Sequence, residues 1–340
     1  MRARIKWSVY RVTAAVSLKA ITENAIAIKK YSHKKLIAVV KDDAYGHGAA
    51  AVCHALEGAA DAFAVASVEE GASLRTAGIS RDILVLSPCL SVEEGVRLIG
   101  YGLIASITST AAFHVLKKAE AIAGARVRAH LAVNTGMNRY GVRPALVAHM
   151  CALAGERIEG VYTHLYLPED NRSLSEQVRL FRAAASAVKA YFPSAVSHIA
   201  ATGGTVRGAG GDAVRVGLAL YGYAPASYGG KIRLKRAMKV YATVSHRCKP
   251  TGSGAGYMRV RKQYACVHTL RLGYGDGFFR AGGLGIGKLC MDACVREGAA
   301  PFGARRLVLK DARAYAALHG TTEYEVLVSI GAHAERVYDR

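Results

Sequence analysis

Lysine is the side chain proteins use for imine chemistry, and Lys41 stands where such an amine is useful. It ends the run Leu36–Ile37–Ala38–Val39–Val40 and is followed by Asp42–Asp43–Ala44–Tyr45–Gly46–His47–Gly48. A continuous apolar run bounded by turn residues reads as a buried strand of a parallel sheet. A lysine desolvated at the carboxyl end of such a strand loses part of its preference for charge and becomes a usable nucleophile. The competing reading is a strand-end lysine that snorkels to solvent. Further along, Arg139, His164, Thr202 and Arg215 each lie at a strand end or turn. Thr202–Gly203–Gly204 and Val216–Gly217–Leu218 add small residues whose backbone N–H groups could receive a phosphate.

A scaffold that could gather these residues is visible as a periodic series. Leu36–Lys41, Ala62–Ser67, Ile83–Pro88, Ala105–Thr108, Arg128–Asn134, Glu159–His164, Val196–Ala200 and Ala213–Val216 recur every 25 residues or so. An interval of about 25 residues holds a strand and its return helix. Ser67–Val68–Glu69–Glu70, Ser91–Val92–Glu93–Glu94 and Ser173–Leu174–Ser175–Glu176 match the capping box that opens a helix. After the third, Leu174, Val178, Phe181, Ala185 and Val188 repeat at helical spacing. The alternation predicts an α/β fold, an N-terminal (β/α)8 TIM barrel over residues 8–228, although its last helix is not visible as a long amphipathic run. Beyond Tyr221 the texture changes. Gly229–Gly230 punctuates the chain, and Val240–Val244, Tyr264–Leu272, Leu307–Leu309 and Tyr324–Ile330 read as strands. These predict a mostly antiparallel β C-terminal domain over 229–340, interrupted by a helix near Asp311–Leu318.

On such a barrel, Lys41 ends the first strand, Arg139 follows the fifth, His164 ends the sixth, Thr202 follows the seventh and Arg215 lies at the eighth. All fall on the carboxyl-end face, where barrel enzymes build their sites. A lysine beside a phosphate cup on that face predicts pyridoxal 5′-phosphate (PLP) as cofactor. No residue spacing predicts a metal.

Seven motifs then share one resemblance. Ala38–Val39–Val40–Lys41 with Ala44–Tyr45–Gly46–His47–Gly48, Asn134–Thr135–Gly136–Met137–Asn138–Arg139–Tyr140–Gly141, Tyr162–Thr163–His164 and His198 to Gly204 follow in order. Val214 to Gly222, Gly273–Tyr274–Gly275–Asp276–Gly277 and Cys290–Met291–Asp292 complete the set. The chain resembles the alanine racemases over nearly its whole length. The resemblance implies a homodimer with shared active sites. In each, Lys41 and the partner's Tyr274 serve as acid–base groups on opposite faces of the cofactor, interconverting L- and D-alanine for peptidoglycan. It further implies that Lys41, Tyr45, His164, Thr202, Arg215 and the backbone of Gly217 and Leu218 hold PLP. Arg139 and the backbone at Met291 would hold the substrate carboxylate. Arg215 would face the pyridine nitrogen; a guanidinium cannot give that nitrogen a proton, which restrains transamination. Taken singly, Tyr274 reads as a packed turn aromatic, His164 as a satisfied strand-end histidine and Arg139 as a solvated loop charge. Gly282 to Lys288 mimics half a nucleotide-binding phosphate loop, but Leu289 stands where Ser or Thr is needed.

The chain departs from the pattern of the family it resembles in three places. Ala132 replaces a lysine and Asn134 an aspartate, leaving Arg139 to be held by Asn134, by an anion or by neither. Between Tyr274 and Met291 the chain is short, with the Gly-rich Ala281–Gly287, which puts the delivery of Met291 in question. Ala332 stands where a tyrosine commonly lines the substrate entry, an expectation that favours serine as a second substrate.

Composition bounds the remaining readings. A hydrophobic content of 51% describes a globular chain with a full core. No apolar run reaches a membrane span, and the protein is expected to be cytoplasmic. Arg2, Arg4, Lys6 and Arg11 before Val12–Leu18 look faintly like a signal peptide, but Lys19 cuts the run short. Seven scattered cysteines fit reduced thiols better than a disulfide framework. The net charge of +21 has its densest source in 231–262, with ten Lys or Arg and no acid. No nucleic-acid-binding motif accompanies it, so a basic surface that draws in a phosphorylated cofactor is the favoured reading over nucleic acid. The alternatives are a serine-preferring or broader racemase, a related decarboxylase, a non-catalytic PLP-binding paralogue and a nucleic-acid-binding module.

Overall fold

The computed structural model describes residues 11–225 and 230–339. The chain divides into two compact units, each assembled from separated segments. One comprises Thr22–Asp42 and Cys53–Leu234; the other comprises Asp43–Val52, the residues from Lys235 onward and a segment ending at Ile21. The boundary expected at 228/229, the start expected at residue 8, Gly229 and the basic residues Arg2, Arg4 and Lys6 lie outside the described residues.

The first strand, β1 (Val12–Val16), belongs to the second unit. The next eight close the barrel of the first: β2 (Lys35–Val39), β3 (Ala62–Val65), β4 (Ile83–Val85), β5 (Ile104–Ile107), β6 (Arg128–Ala132), β7 (Ile158–Tyr162), β8 (Val196–Ala200) and β9 (Ala213–Val216). All neighbours are parallel, and β2 closes the ring against β9 with Ile37 opposite Arg215. The β-branched and small apolar residues of these strands are almost all buried, as strands covered on both faces require. β2 to β7 stop one to three residues sooner than expected, because the chain leaves the ladder at the mouth. Lys41, Asn134 and His164 therefore stand in the loops just past the strands.

Helix starts follow local chemistry. Ser67 accepts from the Glu70 N–H and the Glu70 carboxylate reaches back, a complete capping box for Val68–Thr76. Ser91 likewise caps Val92–Gly100, while Glu94 turns to the Leu90 N–H. The start expected at Ser173 is corrected. The helix runs Asn171–Tyr191, Asp170 caps it by accepting from the Ser173 N–H at 2.6 Å, and Ser173 lies in the first turn. A Cβ on Gly95 would meet Ala119 Cβ at 2.7 Å, so that glycine lets the helices Val92–Gly100 and Thr110–Ala123 approach closely. After β8 the helix is Thr202–Val206, and after β9 the described residues of the barrel unit hold a 3₁₀ turn, Leu218–Tyr221, and no long helix, as the sequence pattern suggested.

The second unit is a sheet built on the long strand β10 (Met238–Cys248), followed by the short pair β11 (Gly254–Ala255) and β12 (Met258–Arg259), then β13 (Val267–Leu270), β14 (Cys294–Glu297), β15 (Arg305–Leu309) and β16 (Glu335–Tyr338). The order is β14–β13–β10–β1–β16, with β15 also on β10; every pair is antiparallel except β1–β16. The apolar run at Val12 is thus the inner strand of this sheet. The expected helix is present as Ala312–His319, capped by Asp311. The strand expected at Tyr324–Ile330 is wrong: these residues lie in the helix Glu323–His333. Thr322 caps it, and Val326, Leu327 and Ile330 bury one face at three–four spacing, so packing overrides β-branched preference.

All seven cysteines are free thiols. Burial pushes Cys53 and Cys89 up to about 12 and Cys151 and Cys294 to about 11, which makes them inert packing residues. Among the described residues no helix is long and apolar enough to cross a membrane.

Candidate active site

Immediately after β2, residues Lys41–Tyr45 form a left-handed helical turn, with φ of 51°, 52°, 56° and 54° at Asp42, Asp43, Ala44 and Tyr45. For non-glycine residues this conformation costs about 1–2 kcal/mol each, so it persists only where surroundings enforce it. Glu70 Oε1 accepts from the Asp42 N–H at 2.6 Å. Asp43 accepts from the Ala49 N–H at 2.6 Å through Oδ1 and pairs with Arg336 through Oδ2. Gly46 lies so close to the helix Glu323–His333 that a Cβ would sit 2.4 Å from the Leu327 carbonyl. Lys41 itself is 38% exposed and lies 3.3 Å from Asp42. The desolvated lysine expected from the apolar run is therefore corrected: strand burial stops at Val40, and the side chain emerges at the mouth.

Arg215, on β9 and 3% exposed, is the hub of the barrel mouth. Its Nη1 donates to His198 Nδ1 at 2.8 Å, and its Nη2 donates to the Thr163 carbonyl at 2.8 Å and to His164 Nδ1 at 3.2 Å. The guanidinium also lies over the Tyr162 ring, 5.0 Å from its centre. Burial pushes the His164 imidazole down to about 3, and the charges of Arg215, Arg139 and Lys41 act in the same direction. His164 is therefore neutral. With Nδ1 accepting from arginine, its proton resides on Nε2. Lys41, Arg139 and Arg215 thus lie within electrostatic reach of one imidazole.

Thr202 is buried at the start of its short helix, and its Oγ1 accepts from the Ala219 N–H at 3.4 Å, joining the loops after β8 and β9. Gly217 precedes the 3₁₀ turn that begins at the buried Leu218. Tyr221 in that turn donates to the Val39 carbonyl at 3.0 Å, tying the phosphate-cup candidates to the strand that delivers Lys41.

Arg139 is exposed on the loop after β6, over the Tyr140 ring at 5.8 Å. Asn134 does not grip it. Its Oδ1 accepts from the Gly136 and Asn138 N–H groups, and its backbone N–H donates to the Val142 carbonyl, so Asn134 shapes the loop instead. Ala132 is buried beneath.

In the second unit, Tyr274 and Met291 lie side by side. The Tyr274 N–H donates to the Cys290 carbonyl at 3.0 Å and the Gly275 N–H to the Met291 carbonyl at 2.9 Å. A Cβ on Gly273 would lie 2.2 Å from the Met291 carbonyl oxygen, so only glycine permits this approach. Asp276 closes the turn by accepting from the Gly273 N–H at 2.8 Å and from Arg11 at 2.7 Å. The Gly-rich 281–287 therefore still brings Met291 beside Tyr274. Both side chains face solvent, Tyr274 50% and Met291 61% exposed. Tyr45 is buried against Tyr324, and Ala332 is exposed on the helix Glu323–His333.

Residues 16–225 match the family described as alanine racemase, N-terminal domain. The chain belongs to the alanine racemase family. It is an isomerase, an amino-acid racemase. Family relatives include alanine racemases of Treponema pallidum subsp. pallidum, 31% identical over 96% of this chain and 99% of the relative, and of Desulforamulus reducens, 31% identical over 96% and 98%. The solved alanine racemase from D-cycloserine-producing Streptomyces lavendulae superposes with a TM-score of 0.87, at 26% identity and 98% coverage of each chain.

The family motifs point to Lys41, Arg139, His164, Arg215, Tyr274 and Met291 but leave three participants unmarked. Glu70 was legible only as a helix cap, yet its second oxygen holds the turn after Lys41. His130 and Ser106 lie behind Arg215, bonded to His198 at 2.8 Å and Tyr162 at 2.8 Å. Their signal is a polar residue in the middle of an otherwise apolar barrel strand, at β5 and β6.

Proposed function

We propose that the chain is a cytoplasmic, PLP-dependent alanine racemase, a homodimer that interconverts L- and D-alanine and supplies D-alanine for peptidoglycan. The observation that carries this reading is the set at the barrel mouth: a primary amine, a neutral imidazole and two guanidiniums gathered around His164, beside two loops tied together through Thr202. That donor set fits a phosphorylated pyridine aldehyde. Lys41, Tyr45, His164, Thr202, Arg215 and the backbone of Gly217 and Leu218 would hold it. Bound there, PLP supplies an electron sink that makes the α-proton of an amino acid removable.

The residues divide the remaining work. Racemisation needs a proton taken from one face and returned on the other, hence two acid–base groups. Lys41 Nζ serves one face, and Tyr274 Oη, presented by the second copy of the chain, serves the other. A free tyrosine titrates near ~10, and the His164 Nε2–H is available to stabilise its oxyanion. Arg215 would face the ring nitrogen and, as a guanidinium, could not surrender a proton to it. Arg139 would engage the substrate carboxylate with its planar fork, and the backbone at Met291 of the second copy would help to hold it.

The test is a visible spectrum of the purified protein for a lysine-linked pyridoxal chromophore, followed by L-alanine racemisation in wild type and Lys41→Ala. The reading expects the chromophore in wild type, its loss in the variant and a fall in kcat of more than about 10⁴-fold. A colourless wild-type protein that does not racemise alanine after incubation with PLP would sink it. Ala332, small and exposed, favours a second reading in which L-serine is also turned over. Comparing kcat/KM for the two amino acids decides it; brisk alanine turnover beside undetectable serine turnover rules it out.

A further inference from the structure

Behind Arg215, away from the mouth, three buried groups from β9, β8 and β6 form a single file across the barrel interior. Arg215 on β9 donates to His198 Nδ1 on β8 at 2.8 Å, and His198 Nε2 lies 2.8 Å from His130 Nδ1 on β6. Arginine can only donate, so the lone pair of His198 is on Nδ1 and its proton on Nε2. That proton points at His130 Nδ1, which must accept it, leaving the His130 proton on Nε2. One arrangement of protons satisfies the whole file; the other tautomer of either ring sets two hydrogens against each other.

We propose that His130 is a positioning residue: by accepting the Nε2–H that Arg215 requires of His198, it holds that tautomer in place and, through it, the orientation of the Arg215 guanidinium. The functional half of the proposal rests on the reading that Arg215 faces the cofactor ring nitrogen.

The surroundings leave little room for alternatives. His198 is fully buried, so water cannot replace a lost acceptor cheaply. The Tyr162 ring stacks on His198 with centroids 5.0 Å apart and planes 8° apart, and the Tyr162 hydroxyl is fixed by Ser106 at 2.8 Å, which donates in turn to the Val85 carbonyl. His198 therefore cannot tilt away from a mismatched partner. Gly160 gives His130 its place: a Cβ there would come within 2.8 Å of three atoms of the His130 ring. Burial, with the charges of Arg128 and Arg215 and against that of Asp82, pushes His130 down to about 4; burial, Arg215 and His130 push His198 well below its ordinary value. Both rings are neutral, as a tautomer lock requires.

The experiment uses ¹⁵N-histidine-labelled holoenzyme and reads the two-bond ¹H–¹⁵N pattern of His198. Wild type is expected to show the Nε2–H tautomer alone. In His130→Leu the buried Nε2–H has no acceptor, so His198 is expected to mix in the Nδ1–H form as Arg215 turns away from it, the cofactor absorbance to shift, and kcat to fall about 10- to 100-fold with KM nearly constant. His130→Asn keeps an acceptor near the same place and is expected to retain the Nε2–H tautomer and most of kcat. An Nδ1–H tautomer in wild type overturns the proposal even if His130→Leu does not fold. So does a His130→Leu protein with an unchanged His198 pattern, or one whose tautomer mixes without any change in absorbance or kcat. A wild-type protein without bound chromophore would instead remove the functional reading, and the tautomer pattern in the same sample would still decide the lock.

Discussion

Arg215 and Tyr274 are held in place by different means. Arg215 is 3% exposed, and its guanidinium is bound by two histidines, a carbonyl and an aromatic face supplied by the barrel itself. Tyr274 is half exposed, and what fixes it is backbone: Gly273 against Met291, Asp276 closing the turn, Arg11 holding Asp276. The barrel mouth is held by its own side chains, because burial makes every unmet hydrogen bond expensive. The turn places a phenol without surrounding it, as the proposed role in a second copy's site would require.

Substitutions separate the two modes of support. Tyr274→Phe keeps the backbone turn and removes only the hydroxyl. It should lower kcat by about 10²- to 10⁴-fold, the usual worth of a general acid–base group, while the cofactor spectrum stays that of wild type; steady-state kinetics with absorbance measures both. Gly273→Ala drives a methyl into the Met291 carbonyl and shifts the whole turn. A loss of about 10- to 100-fold in kcat/KM is expected, again with an unchanged cofactor spectrum. Loss of the chromophore in either variant would mean that the turn builds the cofactor site, contrary to the division drawn here.

The smallest kinetic effect should come from Glu120, at the outer ring of the barrel. Its carboxylate receives two bonds from Arg157 and others from Lys117 and the Val127 N–H. Burial alone would raise this carboxyl, but those partners hold it down to about 2 against an ordinary 4.5. A depressed carboxyl stabilises the fold fully above its unfolded value and loses that contribution as pH falls through the folded one. Glu120→Ala should therefore cost about 2–4 kcal/mol at pH 7. By urea unfolding the difference from wild type should shrink between pH 4.5 and pH 2. The kinetic constants at pH 7 should be unchanged.

Much of the barrel was legible because its strands are short apolar runs, and capping serines such as Ser67 and Ser91 mark their helices. Three features were not. Asp42–Tyr45 turns left-handed without a glycine among its four residues, so nothing local announces it; Glu70, distant in sequence, is part of what enforces it. The helix Glu323–His333 contains Tyr324, Val326 and Val328, residues that favour strands, and is decided by which face it buries. The second unit begins with β1, because pairing with β10 and β16 spans most of the chain and leaves no signature at Val12. In the site, motif residues were visible singly, whereas the Arg215–His198–His130 file exists only once β9, β8 and β6 share a barrel interior.

Subunit exchange tests whether each site joins Lys41 of one chain to Tyr274 of another. Lys41→Ala and Tyr274→Phe proteins, each nearly inactive alone, are mixed in equal amounts, allowed to exchange and assayed for L-alanine racemisation. Random pairing makes half the dimers mixed, each with one intact site, so the account predicts recovery of about a quarter of wild-type activity. Demonstrated exchange with no recovery would contradict it.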